Sequence, residues 1–555
     1  MAIKFIKMKH IKISILALLL ITAALGGCKK YLDINNDPGS PQIPSLASLL
    51  PPVTSVMSRT IFLDGRFSGA YIQNFSSLIA SENNDVHGGN SPNGAGNQAW
   101  RDFYTVQGTA VNLMIKQGIK DEQWDYVGAA YALRAWGLQN ATDIFSDMPY
   151  YEAWEPNRVF FKYNNQPTLY KVVDSVCKVA LSYLNRSDGN VSTPVMARGD
   201  LVYAGDRAKW TKFVYGILAR NWHHLTNKPE YNPDSVISFV NKSMTNNGDN
   251  FLVNHSASRN DDTNPLGPAR DNLTVRRQSR FIVQLLDGTS FYNNTFSASR
   301  DPRLSRILSA SPDTTTITPN MPSLNGGYRF LVPAIGYTIG AAGTASFRQA
   351  PSTLWGDSVI TNTSINNFTA RIGKYLFQNN ARFPIMTYFE MQFIKAEAAY
   401  KKGDFATAHA AYKEGISAHI DFVNSINTTA NAVTQISGME KANYLLSAAV
   451  KQTPGALTLS DIMLQKYIGD FGWNYNESWT DLRRYHYFDL DPITLQQVYR
   501  NFTIPTFSPF NFGPKPAYRS RPTGFSENDW NLDELRRIGA LNQDYHTYEM
   551  WFSQP

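Results

Sequence analysis

Acidic and basic side chains occur in this chain at spacings that a catalytic site would use. Glu390 and Glu397 are seven residues apart, so both carboxylates lie on one face if the segment is helical. A second set, Asp481, Arg483 and Arg484, falls within four residues. In an enzyme these groups would act as acids and as holders of an anion. The same residue types also form ion pairs and hydrogen bonds that lock helices together, and we predict that structural role.

Candidate metal ligands are few. His223 and His224 are adjacent, and adjacent positions on a helix do not face the same way. We expect a partly solvated pair at the polar edge of a helix rather than two ligands of one zinc ion. Residues 33–44 imitate a calcium loop, but the glycine comes one place late and a proline occupies the position of the last acid. We therefore predict no metal and no cofactor.

The sequence lacks the signatures of the common hydrolases. It contains no Gly-x-Ser-x-Gly elbow and no His-Glu-x-x-His zinc helix. Cys177 lies on an apolar helical stripe, which favours a small core residue over a nucleophile. Paired carboxylates for glycoside cleavage meet in space without a sequence signature. We predict a protein that is not an enzyme, with a glycoside hydrolase as the alternative that the sequence leaves open.

The N-terminus has the order of a secretory signal. Lysines precede an apolar run from Ile13 to Ala24, which is too short to span a bilayer. The run ends at Leu25-Gly26-Gly27-Cys28, which resembles a bacterial lipoprotein cleavage box. We predict that residues 1–27 are removed and that Cys28 carries lipid, so the mature chain is anchored to a membrane without crossing it. No later stretch is predicted to span a membrane.

The net charge gives no reason to expect nucleic acid as a partner. The formal charge is +7, and four of the lysines belong to the predicted signal, so subtracting those four leaves about +3. No dense basic run remains in the mature chain.

Helical periodicity dominates the rest of the sequence and predicts a mainly α fold. It fails between about 228 and 370, a stretch rich in Asn, Ser, Thr, Gly and Pro that indicates loops with short strands or turns. We expect one domain over 28–555, with an N-terminal helical half, an irregular loop-rich region and a C-terminal helical half at 28–230, 231–370 and 371–555. The separate helices are predicted at 121–142, 169–184, 210–225, 389–402 and 405–416.

The last two helices are predicted to pair as a hairpin. Gly403 can adopt the left-handed conformation that ends the first helix, and Asp404 can cap the second. The small residues Ala396, Ala408 and Gly415 mark where the two helices approach closely. This segment resembles a tetratricopeptide repeat, and one such hairpin buries its faces only when further units stack on it.

Several motifs together resemble the SusD/RagB family of nutrient-binding lipoproteins, and more closely its branch with a degenerate N-terminal half. Each motif alone is weak, but their order and spacing are specific. The matching segments are Cys28 to Asn35, Tyr131 to Trp136, Asp143 to Tyr150, Trp210 to Phe213, Pro384 to Glu390, Lys395 to Ala398, Gln465 to Tyr467, Trp479 to Arg484, and Arg521-Pro522.

The resemblance implies a helical-repeat platform with a loop-rich ligand face, and a role in binding rather than covalent chemistry. It implies a hinged lid over a SusC-like TonB-dependent transporter, displayed on the cell surface through an outer-membrane lipid anchor. Lys29-Lys30 departs from the acidic residues that many surface-exported relatives carry behind the cysteine. The ligand is expected to be an oligosaccharide, with a peptide, or a scaffold role toward protein partners alone, as alternatives.

The ligand face is sought where an exposed loop ends on aromatic and amide side chains, because sugars offer an apolar face and a belt of hydroxyls. The loop from Ser81 to Asn97 is rich in Asn, Gly and Ser and leads directly to Trp100. The alternative is that Trp100 and Tyr104 form the first buried turn of a helix running to Ile119. The residues predicted to contact ligand are Asn97, Trp100, Arg101, Tyr292 and Trp355.

Overall fold

The computed structural model describes residues 44–88, 97–291, 300–313, 327–340, 344–357, 373–427, 433–505, 515–522 and 524–555. Helices dominate this part of the chain and strands are short, as the sequence predicts. The helices of the N-terminal half are α1 Leu46–Tyr71, α2 Gln98–Asp102, α3 Gly108–Lys120, α4 Trp124–Phe145, α5 Gln166–Leu184, α6 Thr193–Met196, α7 Arg207–His223 and α8 Pro233–Lys242. Those that follow are α9 Arg280–Leu286, α10 Leu304–Ile307, α11 Ala345–Arg348, α12 Tyr388–Lys402, α13 Phe405–Ile426, α14 Gly438–Leu445, α15 Leu459–Asp470, α16 Tyr475–Arg484, α17 Gly524–Trp530 and α18 Leu532–Arg537.

The first helix, α1, was not among those that periodicity predicts. Ser45 caps it by accepting a hydrogen bond from the Ser48 backbone N–H. By length and composition alone α1 could cross a membrane, but 50% of its most apolar window is buried. It packs against α16 and α3, as a core helix of a folded domain does.

Helices α4 and α5 confirm two predictions and form the most extensive helix contact in the described chain. α4 ends at Ser146, which adopts a φ of 70° while its carbonyl oxygen accepts a hydrogen bond from the Thr142 hydroxyl. α5 begins with Asn165 as its cap and a proline in its first turn. Cys177 is a free, buried thiol on α5, as predicted.

The hairpin of α12 and α13 also forms where the sequence places it. Gly403 has a φ of 84°, the left-handed conformation that ends α12. The Asp404 side chain accepts a hydrogen bond from the Thr407 backbone N–H and caps α13, which continues ten residues past the predicted end to Ile426. A Cβ added to Gly415 would lie 2.8 Å from the Phe393 ring, so the close approach of the two helices requires glycine there. That this hairpin is a true tetratricopeptide unit stays a prediction.

The region predicted as irregular contains four α-helices among its described residues that periodicity missed, α8 to α11. α8 is only ten residues long, yet Asn232 caps it and Pro233 occupies its first position. The strands are β1 Phe75–Ser77, β2 Phe251–Val253, β3 Arg276–Gln278 and β4 Phe383–Met386. β1 pairs antiparallel with β3, and β2 pairs antiparallel with β4. These pairs attach the middle of the chain to both helical halves.

A continuous buried cluster joins apolar side chains from both halves. It runs from Leu50 on α1 through Trp210 on α7 to Phe389 on α12 and Trp479 on α16. The helices of the two halves therefore pack around a shared core, which positions the loops and short elements at its surface.

Candidate functional site

The predicted ligand residue Trp100 is buried, with 3% of its surface exposed. Its ring makes edge contacts with Tyr104 and Phe145 at centroid distances of 5.3 Å. The segment therefore follows the alternative prediction of a buried first helical turn. Trp100 lies in α2, and the helical run continues through a π-helical turn at 103–107 into α3. The expectation of an exposed stacking ring at Trp100 is wrong, because the ring packs against the core.

Asp64 on α1 holds this turn in place. Its two carboxylate oxygens accept hydrogen bonds from the backbone N–H groups of Gln98 and Ala99, at 2.8 and 2.7 Å. These are the donors that a helix leaves unsatisfied at its N-terminus. Burial raises the pKa of Asp64 to about 7, although these two hydrogen bonds lower it. A charge cap from another helix, rather than the side chain of Asn97, therefore starts α2.

The other predicted ligand residues are not gathered in one place. Asn97 is buried, with 6% exposure, and Arg101 is exposed. Trp355 is 1% exposed and its indole N–H donates to the Leu266 carbonyl oxygen at 2.8 Å, so it is a core residue and not a stacking plane. Tyr292 and Cys28 lie outside the described residues.

The candidate catalytic acid Glu397 is the centre of a buried network. Its carboxylate accepts hydrogen bonds from both terminal nitrogens of Arg484, at 2.8 and 3.0 Å, and from the Tyr485 hydroxyl at 2.5 Å. His223 Nε2 lies 2.7 Å from Glu397 Oε2, and His223 Nδ1 lies 3.2 Å from the Tyr231 hydroxyl. Glu397, Arg484 and His223 are completely buried.

The charges in this network are set by their surroundings. Burial opposes ionisation of Glu397, but Arg484 and His223 outweigh it and hold the pKa of this carboxyl well below its usual range. Burial lowers the pKa of His223 to about 4 against the attraction of Glu397. His223 is therefore neutral near pH 7 and donates to Glu397 from Nε2. The expectation of a partly solvated histidine pair is wrong, because both rings are enclosed between helices.

His224 takes the opposite charge state from its neighbour. Its Nε2 lies 2.9 Å from Glu477, and its Nδ1 lies 3.4 Å from Asp143. Burial lowers the pKa of His224, but the two carboxylates outweigh it and raise the pKa to about 9. Lys466 donates to Glu477 at 2.9 Å and pairs with Asp481 at 2.8 Å. The network thus ties α7, α15 and α16 together.

Glu390 completes the same helix-locking arrangement. The Arg220 guanidinium donates to its two carboxylate oxygens at 2.5 and 2.7 Å. The structural role predicted for the acids and arginines is therefore confirmed for Glu390, Glu397, Asp481 and Arg484. A cavity of about 20 Å³ beside this network, next to Asn140 and Asn476, has room for about one water molecule and no substrate.

No described part of the chain gathers ligands for a metal. Groups of three or more His, Cys, Asp or Glu side chains placed to hold an ion are absent from the described ranges. The Cys177 thiol is buried, and burial raises its pKa well above the usual range, which makes it a poor nucleophile.

An open groove lies instead between segments from the irregular region and the C-terminal half, in both of which periodicity predicts no helix. Its volume is about 470 Å³, within the usual range for small-ligand sites. α10 and the residues before it form one wall, and α14 forms another. The residues that line it are Arg300, Asp301, Pro302, Leu304, Ser305, Arg306, Tyr328, Glu440, Asn443 and Tyr444. We call this the α10–α14 groove.

Arg306 and Glu440 link the two walls of the groove. The Arg306 guanidinium donates to Glu440 at 2.9 Å and to the Ser305 hydroxyl at 2.9 Å. Glu440 also accepts the Ser437 backbone N–H at 2.8 Å in a capping box that starts α14. The Ser437 N–H and Arg306 both lower the pKa of Glu440. The two charges therefore neutralise each other where the groove is open to solvent.

A second pair lies at the floor of the groove. The side chain of Arg303 donates to both carboxylate oxygens of Asp301, at 2.9 and 2.6 Å. Arg303 also contacts His419 Nδ1 at 2.8 Å and donates to Gln465 Oε1 at 2.7 Å. Burial and the Arg303 charge lower the pKa of His419 well below its usual range, so the ring accepts from Arg303 as a neutral imidazole. The floor is therefore fixed from beneath by α13 and α15.

The groove presents uncharged polar groups and part of an aromatic ring beside its paired charges. Asn443 is exposed, Tyr328 is half-buried, and burial raises the pKa of the Tyr328 hydroxyl to about 12, so it stays protonated. The carboxylates of the groove are already paired with guanidinium groups. Amide, hydroxyl and ring surface therefore remain for a ligand. Sequence reasoning missed this site, and the only local signal was the Ser437 to Glu440 capping box that precedes one wall.

One known protein family matches most of the chain. The model of the SusD-like_2 family, described as starch-binding and associating with the outer membrane, matches residues 42–507. None of the curated proteins matches the chain.

Solved structures of similar fold cover nearly all of the chain. A chitin-binding protein aligns with a TM-score of 0.66 and 19% identity over 92% of this chain and 100% of its own. A SusD homologue of Bacteroides fragilis has a TM-score of 0.64 and 19% identity over 90% and 100%. A SusD/RagB family protein of Bacteroides thetaiotaomicron has a TM-score of 0.60 and 20% identity over 90% and 98%. At these identities the likeness shows a common fold.

Proposed function

We propose, because the chain belongs to the SusD/RagB family, that it is a cell-surface lipoprotein of the outer membrane that captures an oligosaccharide and passes it to a SusC-like TonB-dependent transporter. In this proposal the chain acts as a hinged lid and carries out no covalent step. The observation that supports ligand capture is the α10–α14 groove, which is open and polar and whose two carboxylates are each paired with an arginine.

The pairing of both carboxylates in the groove favours an oligosaccharide over a peptide. Arg306 is paired with Glu440, and Arg303 with Asp301, so neither pair offers an uncompensated charge to a peptide terminus or side chain. Ser305 and Asn443 offer a hydroxyl and an amide, and Tyr328 offers part of a ring. Hydroxyl groups and the apolar face of a sugar match this combination.

The same residues argue against two alternative functions. A scaffold that binds only proteins does not require a groove of about 470 Å³ with a fixed floor. A glycoside hydrolase needs a pair of carboxyl groups free to act as acid and base. The two carboxylates of the groove, Asp301 and Glu440, are instead bonded to guanidinium groups.

Calorimetry with short oligosaccharides tests the capture step. The family description and the chitin-binding structure suggest maltoheptaose and chitohexaose as probes. Tyr328→Ala should weaken binding by roughly 5- to 100-fold, the effect of losing one aromatic contact of about 1 to 3 kcal/mol. The matched control is Tyr215→Ala, a half-buried tyrosine on α7 outside the groove. Equal affinities of the Tyr328 variant and the wild type would remove the groove from the proposal.

Fractionation tests the anchor. Cys28→Ala should shift the protein from the outer membrane to the soluble fraction, because the acyl chains would be lost. A Cys28→Ala protein that still sediments with outer membrane and resists a carbonate wash would contradict lipid anchoring.

Purification from the native membrane tests the transporter. A tagged chain should bring a TonB-dependent transporter with it in mild detergent, and the yield should not depend on the groove variant Tyr328→Ala. Recovery of the chain without any such transporter would contradict the lid role and leave the groove test standing.

A further inference from the structure

Two large aromatic side chains lie side by side on the surface although 370 residues separate them in the sequence. Phe160 is 64% exposed and Trp530 is 53% exposed, and their ring centroids are 6.3 Å apart with planes at 66°. Val159, beside Phe160, is 48% exposed. We call Val159, Phe160 and Trp530 the aromatic platform. Such a cluster of exposed apolar surface marks a binding site more often than an isolated exposed residue does.

Buried and half-buried hydrogen bonds hold the two segments of the platform together. The Phe161 backbone N–H donates to Asn531 Oδ1 at 2.8 Å, and the Tyr163 N–H donates to Glu534 at 3.0 Å. The Tyr163 hydroxyl and the Asn531 amide both donate to the buried carboxylate of Glu527. The rings are therefore presented by a fixed framework, so binding there needs little ordering of the protein.

Polar groups at the rim of the platform are available for hydrogen bonds. Asn157 lies two residues before Val159, and Asn528 and Asp529 directly precede Trp530; all three are exposed. Their side chains make no hydrogen bond to any residue that the structure describes. Arg158, in contrast, is taken up by Glu152 and Glu155. Amides and a carboxylate next to an exposed ring are the groups that bind the hydroxyls of a sugar stacked on that ring.

The size of the platform favours a sugar over a protein partner. A stable protein interface buries about 800 Å² on each side and involves about 20 to 30 residues. The apolar surface here consists of three side chains, and the exposed charged residues Arg158 and Asp529 are their direct neighbours in the sequence. That area suits one or two sugar rings, and its open shape admits units from the middle of a long chain.

We propose that the aromatic platform is a second glycan-binding surface, separate from the α10–α14 groove, that holds polysaccharide by stacking sugar rings on Trp530 and Phe160. This inference rests on the proposed function, since it assumes that the ligand is a glycan. Two sites on one protein raise the effective affinity for a polymer that can occupy both, without changing the affinity for a short oligosaccharide.

Native electrophoresis in gels that contain amylopectin or glycol chitin tests the platform. Trp530→Ala and Phe160→Ala should each reduce retardation in the gel that slows the wild type, with apparent dissociation constants roughly 5- to 100-fold higher. Leu201→Ala, which removes an exposed apolar side chain elsewhere, should migrate as the wild type does. Circular dichroism checks that each variant is folded, and the two platform variants lie on separate segments so that one misfolded protein does not decide the result.

The outcomes separate this proposal from the groove. Loss of polymer retardation in Trp530→Ala, with unchanged calorimetric affinity for maltoheptaose or chitohexaose, supports a second site. Wild-type retardation in both platform variants overturns it, and so does a wild type that neither polymer retards, while groove binding is still decided by calorimetry. Full retardation of Trp530→Ala combined with loss of the copurifying transporter would identify a protein-docking surface and also overturn the glycan proposal.

Discussion

The buried network around Glu397 and the α10–α14 groove are built from the same kinds of ion pair but serve different ends. In the network Glu397 and Arg484 have no exposed surface, and every approach is closed by helices. In the groove the Glu440 side chain is 41% exposed and Arg306 13% exposed, with about 470 Å³ of open space beside them.

This difference shows that burial, rather than residue type, decides how much an ion pair contributes to stability. A buried pair is costly to form and very costly to break, because removal of one partner leaves a charge without water or counterion. An exposed pair contributes little to stability, because water and salt screen the two charges. The two regions should therefore respond differently to the same kind of substitution.

The largest effect is expected at the centre of the network. Glu397→Ala should lower the free energy of unfolding by about 3 to 5 kcal/mol, since Arg484 would keep only Asp481 as a buried counterion and the Tyr485 hydroxyl would lose its acceptor. Urea unfolding followed by circular dichroism measures it. The control is Glu155→Ala, which breaks an exposed pair with Arg158 and should cost at most about 1 kcal/mol. Similar losses in the two variants would contradict the comparison.

The two adjacent histidines should give opposite pH profiles. The pKa of His224 is raised to about 9, so its contribution is complete below about 6.5 and is lost as the pH rises through 9. His224→Gln should therefore cost about 2 to 4 kcal/mol near pH 6, with a smaller difference from wild type at pH 9.

His223 supplies the control for that profile. Its pKa is lowered to about 4, so the folded protein resists protonation and loses stability as the pH falls from about 6.5 toward 4. The difference between wild type and His223→Gln should therefore shrink toward acid pH. Parallel slopes for the two variants in urea unfolding between pH 4 and 9 would be inconsistent with the assigned charge states.

A smaller effect is expected where the helices of the hairpin cross. Ala408→Leu should overpack the contact between α12 and α13 and lower stability by about 1 to 3 kcal/mol. Ala410→Leu, at an exposed position of the same helix, should change it by at most about 0.5 kcal/mol. The melting temperatures of the two variants provide the measurement, and an unchanged value for Ala408→Leu would show that the hairpin is packed differently.

The smallest effect on stability is expected in the groove. Asn443→Ala removes an exposed amide and should change the free energy of unfolding by at most about 0.5 kcal/mol. Its affinity for the oligosaccharide should fall about 2- to 10-fold, the effect of one lost hydrogen bond. Calorimetry and urea unfolding of the same preparation separate the two quantities. A variant that is destabilised but binds normally would place Asn443 in the framework of the protein.

Local patterns predicted several of the long helices well. The periodicity of α4, α5 and α7 located them to within a few residues, and Gly403 with Asp404 fixed the turn of the hairpin. The same reasoning did not find α1 or α8. α8 is short, with only Val236 and Val240 fully buried, which is too few positions for a clear helical period.

The candidate site was much less accessible to sequence reasoning. A polar loop followed by Trp100 has the composition of a ligand face, but Asp64, more than thirty residues earlier, caps the turn and draws the ring into the core. His223 and His224 have the composition of a solvated pair, but Glu397 and Glu477 from distant helices enclose them. In each case the partner that decides the environment is remote in sequence.

The sequence by itself determined the class of fold, the family and the helices whose apolar faces repeat with a helical period, because these depend on neighbours within a few turns. Only the tertiary structure decided which charges are locked in the interior and which line an open groove. It also decided that Phe160 and Trp530, which are far apart in the sequence, share one surface. Exposure and charge state are set by all the segments that pack around a side chain, and those contacts form only when the chain is folded.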